Sequence, residues 1–298
     1  MKLTETGYVF YNDDFLTGKT WNNPKGLPVM LVHGLMDNAG TFDNLIPLLP
    51  GGFFYVAIDL PDHGKSSHST PGFLIMIFNY VFAIDRVADH FGWESFTLVG
   101  HSVGGFLCYL YSAFFPNRIN KLITIEAPFF IYTPENINKG TLHVYRKNNE
   151  AETATPTIYS YEEAVQYLRF RTVGAEMRSE KTARNLARRC LIKTSGGYTF
   201  STDKRLKVGN TQRMTKEQVL ALFKEIRCPL FQIVAHGSVN APGALWGNFE
   251  VMKSFLKRQL GDKYCLRFVE GDHNVHTDFP ERVSNLVSDF LVRRTSSL

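Results

Sequence analysis

Short apolar runs alternate with longer stretches of helical periodicity over most of this chain. The apolar runs have the length of β-strands, and a helical stretch separates most of them, which predicts crossover connections and a mostly parallel sheet. The predicted strands are residues 28–32, 53–58, 96–99, 122–125, 229–235 and 264–269. The predicted helices of this α/β pattern are residues 41–49, 73–91, 106–115, 245–260 and 281–291.

The middle of the chain has a different pattern. From residue 129 to residue 227 the strand signal fades, and helical runs dominate at 161–171, 177–191 and 216–226. We therefore predict a core domain made of residues 1–128 and 228–298, with a helical cap of residues 129–227 inserted between its two parts.

A tight turn between a predicted strand and a predicted helix carries the strongest chemical signal. Its sequence is Gly100-His101-Ser102-Val103-Gly104, a G-x-S-x-G pattern in which the serine stands at the apex. Such a turn exposes a strained hydroxyl at the edge of a sheet, and its glycines allow the strand and helix backbones to approach closely. We predict that Ser102 is a nucleophile.

The predicted base lies late in the chain, on the loop that follows strand 264–269. His273 is placed there at the carboxyl edge of the sheet, where Ser102 also lies, and its near-neutral pKa suits proton transfer. His276, three residues later, is the alternative base. The expected oxyanion hole combines the backbone N–H of Val103, the residue after the nucleophile, with that of Leu35 in the loop after strand 28–32.

Composition restricts the other classes of function. The 298 residues are 44% hydrophobic, which suffices for a buried core. The N-terminus lacks the apolar segment of a secretory signal, and the longest apolar run, 73–84, is too short to span a membrane. Four widely spaced cysteines predict reduced thiols in an intracellular protein, with no metal site. No zinc-finger, recognition-helix or RNA-binding pattern is present, so we expect no nucleic-acid partner.

Several motifs together resemble the α/β-hydrolase superfamily and, within it, the serine hydrolase-like proteins of animals (the kraken group). The residues that carry the resemblance are 33–39, 45–50, 62–68, Gly100-His101-Ser102 and the segment 271–276. The resemblance implies an eight-stranded, mostly parallel sheet with flanking helices, and a cap inserted after the sixth strand. It also implies a Ser–His–acid triad, and members of this group have been linked to peroxisomes.

The acid of that triad departs from the family pattern. In this fold the acid often follows the strand that is here 229–235, but the next residues, 236–242, contain no carboxylate and place Asn240 there. The other known position, used by many haloalkane dehalogenases, ends the strand before the cap, and here it is Glu126. We predict Glu126 as the acid, with Asp272 or Asn240 as alternatives. Dehalogenase chemistry itself is excluded because it needs an aspartate nucleophile.

We expect a serine hydrolase that cleaves carboxylic esters or thioesters with an apolar acyl group, without a metal or organic cofactor. The apolar segments 73–84 and 129–132 predict a hydrophobic substrate pocket. Two alternatives remain. The missing carboxylate near Asn240 is compatible with a catalytically weak ligand receptor. Residues 139–227 contain 18 Lys and Arg against nine Asp and Glu, which is compatible with an acyl-CoA thioesterase or with a solvated helical face.

The C-terminal residues Ser296-Ser297-Leu298 differ by one residue from the Ser-Lys-Leu peroxisomal signal. We therefore expect a cytoplasmic or peroxisomal location, with a peroxisomal import receptor as a candidate partner. No feature of the sequence predicts the oligomeric state.

Overall fold

The computed structural model describes residues 3–9, 15–171, 177–208, 213–239 and 246–293. Asn240 and the C-terminal tripeptide 296–298, which the sequence analysis singled out, lie outside these ranges. None of the helices in the described ranges combines the length and the apolar character needed to cross a membrane.

Eight strands form one sheet, as the sequence resemblance predicts. They are β1 (Leu3–Val9), β2 (Phe15–Trp21), β3 (Leu27–Val32), β4 (Phe53–Asp59), β5 (Phe96–His101), β6 (Ile119–Ile125), β9 (Leu230–Ala235) and β10 (Tyr264–Val269). The spatial order is β1-β2-β4-β3-β5-β6-β9-β10. The pairs β1–β2 and β2–β4 are antiparallel, and every other neighbour pair is parallel. The six strands from β4 to β10 in the spatial order therefore present their carboxyl ends at one edge.

Helices cover both faces of this sheet. They are α1 (Ile77–His90), α2 (Val103–Phe114), α7 (His236–Val239), α8 (Phe249–Leu260), α9 (Val275–Asp278) and α10 (Glu281–Val292). Alternate residues of each strand enter opposite cores, because successive side chains of a strand point to opposite faces. In β3, Met30 and Val32 join the core that contains α1 and α2, whereas Val29 and Leu31 join the core that contains α10.

The segment between β6 and β9 contains α3 (Pro134–Thr153), α4 (Tyr161–Phe170), α5 (Glu180–Cys190) and α6 (Lys216–Phe223). A small antiparallel hairpin, β7 (Leu191–Thr194) and β8 (Gly197–Phe200), follows α5. The runs predicted as helices correspond to α4, α5 and α6, whereas α3 and the hairpin were not predicted. The division of the chain into a core domain and a cap stays a prediction.

Differences from the predicted elements have local causes. Residues 41–49, predicted as one short helix, form two 3-10 turns, Ala39–Phe42 and Ile46–Leu48. Helix α1 begins at Ile77, four residues later than predicted from the apolar run. β1 and β2 precede the first strand predicted from the pattern and were not predicted. In β2, polar residues such as Thr17 and Lys19 interrupt the apolar run that would mark a strand.

Candidate active site

The turn between β5 and α2 places Ser102 in an unusual backbone conformation. Its φ is 54° and its ψ is −126°, a region that residues other than glycine rarely occupy. The turn is also tight, because a Cβ on Gly104 would collide with the carbonyl oxygens of Val32 and His33. The Ser102 hydroxyl is therefore held at the carboxyl edge of the sheet, and only 8% of the residue is exposed.

Ser102, His273 and Glu126 form one chain of hydrogen bonds. His273 Nε2 lies 2.9 Å from Ser102 Oγ, and His273 Nδ1 lies 3.2 Å from Glu126 Oε2. A carboxylate can only accept, so the Nδ1–H donates to Glu126 and leaves Nε2 as the acceptor for the serine proton. The structure thus brings together the three residues that the sequence predicts as nucleophile, base and acid.

The sheet order explains how Glu126 reaches a histidine 147 residues away. Glu126 follows β6 directly, and His273 lies on the loop after β10, with β9 between the two strands. The backbone N–H of Glu126 donates to the carbonyl oxygen of Ile233 in β9 at 2.9 Å. Its Oε1 accepts the backbone N–H of Ala235, where β9 ends. The buried carboxylate therefore lies across the end of β9, and its second oxygen faces His273.

The two predicted oxyanion donors, Val103 and Leu35, belong to backbone segments next to Ser102. Val103 is the first residue of α2, so its N–H has no acceptor within the helix. Leu35 belongs to the loop after β3. The backbone of that loop approaches the nucleophile closely, because a Cβ on Gly34 would lie 3.1 Å from Ser102 Cβ. The predicted oxyanion hole requires both of these amides to face the carbonyl oxygen of a substrate at Ser102, and it stays a prediction.

The alternative base and acid have other contacts. His276 is fully buried, its Nε2 lies 3.1 Å from Thr41 Oγ1, and its ring packs 3.9 Å from that of His101. Burial lowers the pKa of His276 well below its usual value, so the ring stays neutral. Asp272 Oδ1 accepts the backbone N–H of Asn274 at 2.8 Å, which stabilises the loop that carries His273.

Comparisons with known proteins identify the family of this chain. A family model described as the alpha/beta hydrolase fold matches residues 28–207, more than half of the chain. The chain belongs to the α/β hydrolase family. The serine hydrolase-like protein of Danio rerio is 31% identical over 281 residues, which cover 93% of this chain and 85% of the relative. Serine hydrolase-like protein 2 of Homo sapiens is 30% identical and covers 93% and 90%. The resemblance to the animal serine hydrolase-like proteins is confirmed.

A solved structure extends the similarity to the three-dimensional fold. The crystal structure of a hypothetical protein from Pseudomonas aeruginosa PAO1 superposes with a TM-score of 0.85 at 27% sequence identity. The match covers 97% of this α/β hydrolase and 99% of the bacterial chain. The predicted fold class is confirmed by this match and by the eight-stranded sheet.

Two further histidines of the α/β hydrolase shape the backbone around the site. His101 Nε2 donates to the carbonyl oxygen of His273 at 2.8 Å. His33 Nδ1 donates to the Gly34 oxygen at 2.7 Å, and its Nε2 accepts the Leu60 N–H at 3.0 Å. Burial lowers the pKa of both rings, so both stay neutral and hold the two loops that flank Ser102.

Three arginines from the segment after β6 are buried, namely Arg178, Arg189 and Arg205, and the sequence predicted no structural role for them. Arg189 Nε and Nη2 donate to the Asp59 carboxylate, the closest contact being 2.7 Å. Asp59 also accepts the backbone N–H of Ala39 at 2.7 Å. Burial alone would raise the pKa of Asp59, but Arg189 and these hydrogen bonds outweigh burial and hold it below its usual value. A lone arginine on an amphipathic helix gives no sequence signal for such a distant partner.

The apolar segment 129–132, which the sequence predicts to line a pocket, is partly taken up by core packing. Phe129 is buried and packs against Tyr109 and Phe223. A cavity of about 680 Å³ lies elsewhere, and the side chain of Met36, next to Leu35, forms part of its wall. Its aromatic and basic lining includes Tyr159, Tyr167, Phe200, Arg171, Lys204 and Lys207. Within the described ranges, no group of three or more His, Cys, Asp or Glu side chains could hold a metal ion.

Proposed function

We propose that this α/β hydrolase is a serine hydrolase that cleaves carboxylic esters or thioesters through an acyl-enzyme. The observation that carries the proposal is the continuous hydrogen-bond chain from Ser102 Oγ through His273 to Glu126. A ligand receptor on the same fold would not require a buried carboxylate aligned with a histidine and a strained serine.

The proposed reaction proceeds in two halves. In the first, Ser102 Oγ attacks the substrate carbonyl while His273 Nε2 takes the serine proton, and Glu126 stabilises the resulting imidazolium. The Val103 and Leu35 amides hold the oxyanion, and His273 then protonates the leaving alcohol or thiol. In the second half, His273 deprotonates a water that attacks the acyl-enzyme. Collapse of this second intermediate releases the carboxylic acid and returns the proton to Ser102.

The proposed acyl group is apolar. Three apolar side chains, Val103, Phe130 and Ile131, are only partly buried and pack on the larger core. Val103 adjoins the nucleophile, and Phe130 contacts Phe106 of α2 with ring centroids 5.2 Å apart. Profiling with p-nitrophenyl esters of increasing chain length tests this specificity. We expect kcat/KM to rise from acetate to medium-chain esters, and a sharp preference for acetate would contradict the assignment.

Labelling with a fluorophosphonate probe tests the serine mechanism itself. Wild-type protein and Ser102→Ala are incubated with the probe, and the products are measured by intact mass spectrometry, with circular dichroism as the control for folding. We expect one adduct on the wild type and none on the variant. A folded wild-type protein that forms no adduct would instead support a ligand-binding role.

An acyl-CoA thioesterase is the second candidate, because the cavity beside Met36 has basic residues in its wall. Lys207 is exposed, and its ammonium lies 5.6 Å from the centre of the Tyr167 ring. Arg184 and Arg189 are less suited to bind phosphates, because both form ion pairs with carboxylates. Lys207→Glu should therefore raise KM for acyl-CoA and leave KM for p-nitrophenyl esters unchanged, with Lys253→Glu as the control. Equal KM values for acyl-CoA in wild type and Lys207→Glu would contradict this candidate.

A further inference from the structure

We propose that Arg178 is a positioning residue that holds the oxyanion loop, residues 34–37, against the histidine loop, residues 272–274. The inference rests on the proposed serine hydrolase function. It assigns to the segment between β6 and β9 a direct part in aligning the catalytic groups.

The guanidinium of Arg178 contacts both loops at once. Its Nη2 donates to both oxygens of Asp37, at 2.8 and 3.0 Å. Its Nε donates to Asn274 Oδ1 at 3.1 Å. Its Nη1 donates to the carbonyl oxygen of Arg171 at 3.0 Å. Only arginine carries donors in this planar fork, so no other side chain can make the three contacts together.

Each contact lies close in the chain to a residue of the proposed mechanism. Asp37 is two residues after Leu35, and its backbone N–H donates to the Gly34 oxygen at 3.1 Å, which closes the turn that contains Leu35. Arg171 donates to the Met36 oxygen at 2.7 Å and fixes the same turn from the other side. Asn274 directly follows His273. A shift of Arg178 would therefore move an oxyanion donor and the base relative to Ser102.

Burial makes this bridge rigid. Arg178 is 6% exposed, Asp37 2% and Asn274 1%. Burial alone would raise the pKa of Asp37, but the charges of Arg178 and Arg171 outweigh burial and hold it below its usual value. The carboxylate is therefore charged at neutral pH, and hydrogen bonds between charged groups are stronger and shorter than those between neutral ones. Neither loop can move independently without leaving a buried charge or donor without its partner.

The test must separate positioning from simple stabilisation of the fold. Arg178→Lys keeps the charge but loses the fork. Asn274→Leu removes one neutral acceptor and keeps the branched shape of the side chain. The Asn274 side chain makes no capping bond at the start of α9. Arg189→Lys is the matched control. Arg189 is also a buried arginine from this segment, and its guanidinium donates to Asp59 and Thr17.

We expect Arg178→Lys and Asn274→Leu each to lower kcat for p-nitrophenyl butyrate by about 10- to 100-fold, because misplacement by about 1 Å can cost 10²-fold. KM should stay near the wild-type value. Arg189→Lys should lower Tm about as much as Arg178→Lys does, but it should keep kcat near the wild-type value. The double variant Arg178→Lys/Asn274→Leu should be no slower than the slower single variant, because the two changes break the same bridge.

Two results would overturn the proposal. One is a wild-type kcat in Asn274→Leu, a measurement that stands even if Arg178→Lys fails to fold. The other is an equal loss of kcat in Arg189→Lys and Arg178→Lys. That result would mean that the loss of any buried ion pair made by the segment between β6 and β9 slows the reaction. Failure of the proposed function is distinguishable, because the wild-type protein itself would then form no fluorophosphonate adduct.

Discussion

Replacement of Glu126 by glutamine gives the sharpest test of the candidate triad, because the two side chains have nearly the same shape. The wild-type carboxylate accepts on both oxygens, from Ala235 N–H at one and from His273 Nδ1–H at the other. A glutamine amide has only one oxygen, and its NH₂ group must face one of these two donors. The orientation of that amide decides the outcome.

The more stable orientation is the inactive one. If the NH₂ group faced Ala235, a buried backbone N–H would lose its acceptor, at a cost of about 1–3 kcal/mol. The amide therefore turns its oxygen to Ala235 and its NH₂ to His273. The imidazole must then accept at Nδ1 and carry its proton on Nε2, where it cannot take the Ser102 proton. This wrong-tautomer state lowers kcat by about 10⁴ in a serine protease, which corresponds to about 5.5 kcal/mol of barrier.

The assay compares kcat for p-nitrophenyl butyrate hydrolysis and the rate of fluorophosphonate labelling in wild type, Glu126→Gln and Asp272→Asn. Both rates should fall together in Glu126→Gln, because both depend on the activated serine. Asp272→Asn serves as the control. Its amide oxygen can still accept the Asn274 N–H, so the loop should keep its shape and kcat should stay near wild type.

A Glu126→Gln variant that is folded and within about ten-fold of the wild-type kcat would refute the reasoning. Glu126 would then be a structural residue that joins β6 to β9. The orienting group would have to be sought at Asn240 or Asp272 by the corresponding alanine variants.

Three other predictions concern stability. Arg189→Met leaves the charge of Asp59 buried and without its counterion, so urea unfolding should show a free energy of unfolding lower by about 3–5 kcal/mol. A smaller loss than in Arg184→Met, which breaks an exposed ion pair, would contradict this expectation. Burial lowers the pKa of His63 to about 3, whereas an unfolded histidine titrates near 6.5. The free energy of unfolding should therefore fall as the pH drops from about 6.5 towards 3 and fall less steeply in His63→Asn. Ser102→Gly relieves a strained backbone and should be about 1 kcal/mol more stable than Ser102→Ala, which calorimetry can measure.

The sequence predicts the candidate site better than it predicts the segment between β6 and β9. Ser102, Glu126 and His273 each directly follow a strand or lie on the loop after one, and the carboxyl ends of parallel strands meet at one edge. An assignment of strands to a parallel sheet is therefore enough to place the three residues near one another. Their distances and their shared hydrogen bonds come only from the structure.

The missed elements lack the signals that sequence reasoning uses. Helix α3 buries only Val144 and Asn148, so it has no apolar stripe to reveal its period. The strands of the hairpin β7–β8 contain no buried residue and are four residues long, too short for a clear alternation. Arg178 contacts Asp37 and Asn274 across 141 and 96 residues. Such contacts follow from the packing of the whole chain, and nothing in the local sequence encodes them.

Two of the buried ion pairs, Asp37–Arg178 and Asp59–Arg189, also restrict how new variants of this hydrolase can be built. Exchange of the segment between β6 and β9 with that of a relative is an obvious route to altered substrate choice. The exchanged segment must bring an arginine to each of these two positions, because otherwise two buried aspartates remain in the recipient without a counterion. Chimeras designed with both arginines should express as folded protein, and those without them should be rescued by Asp37→Asn together with Asp59→Asn.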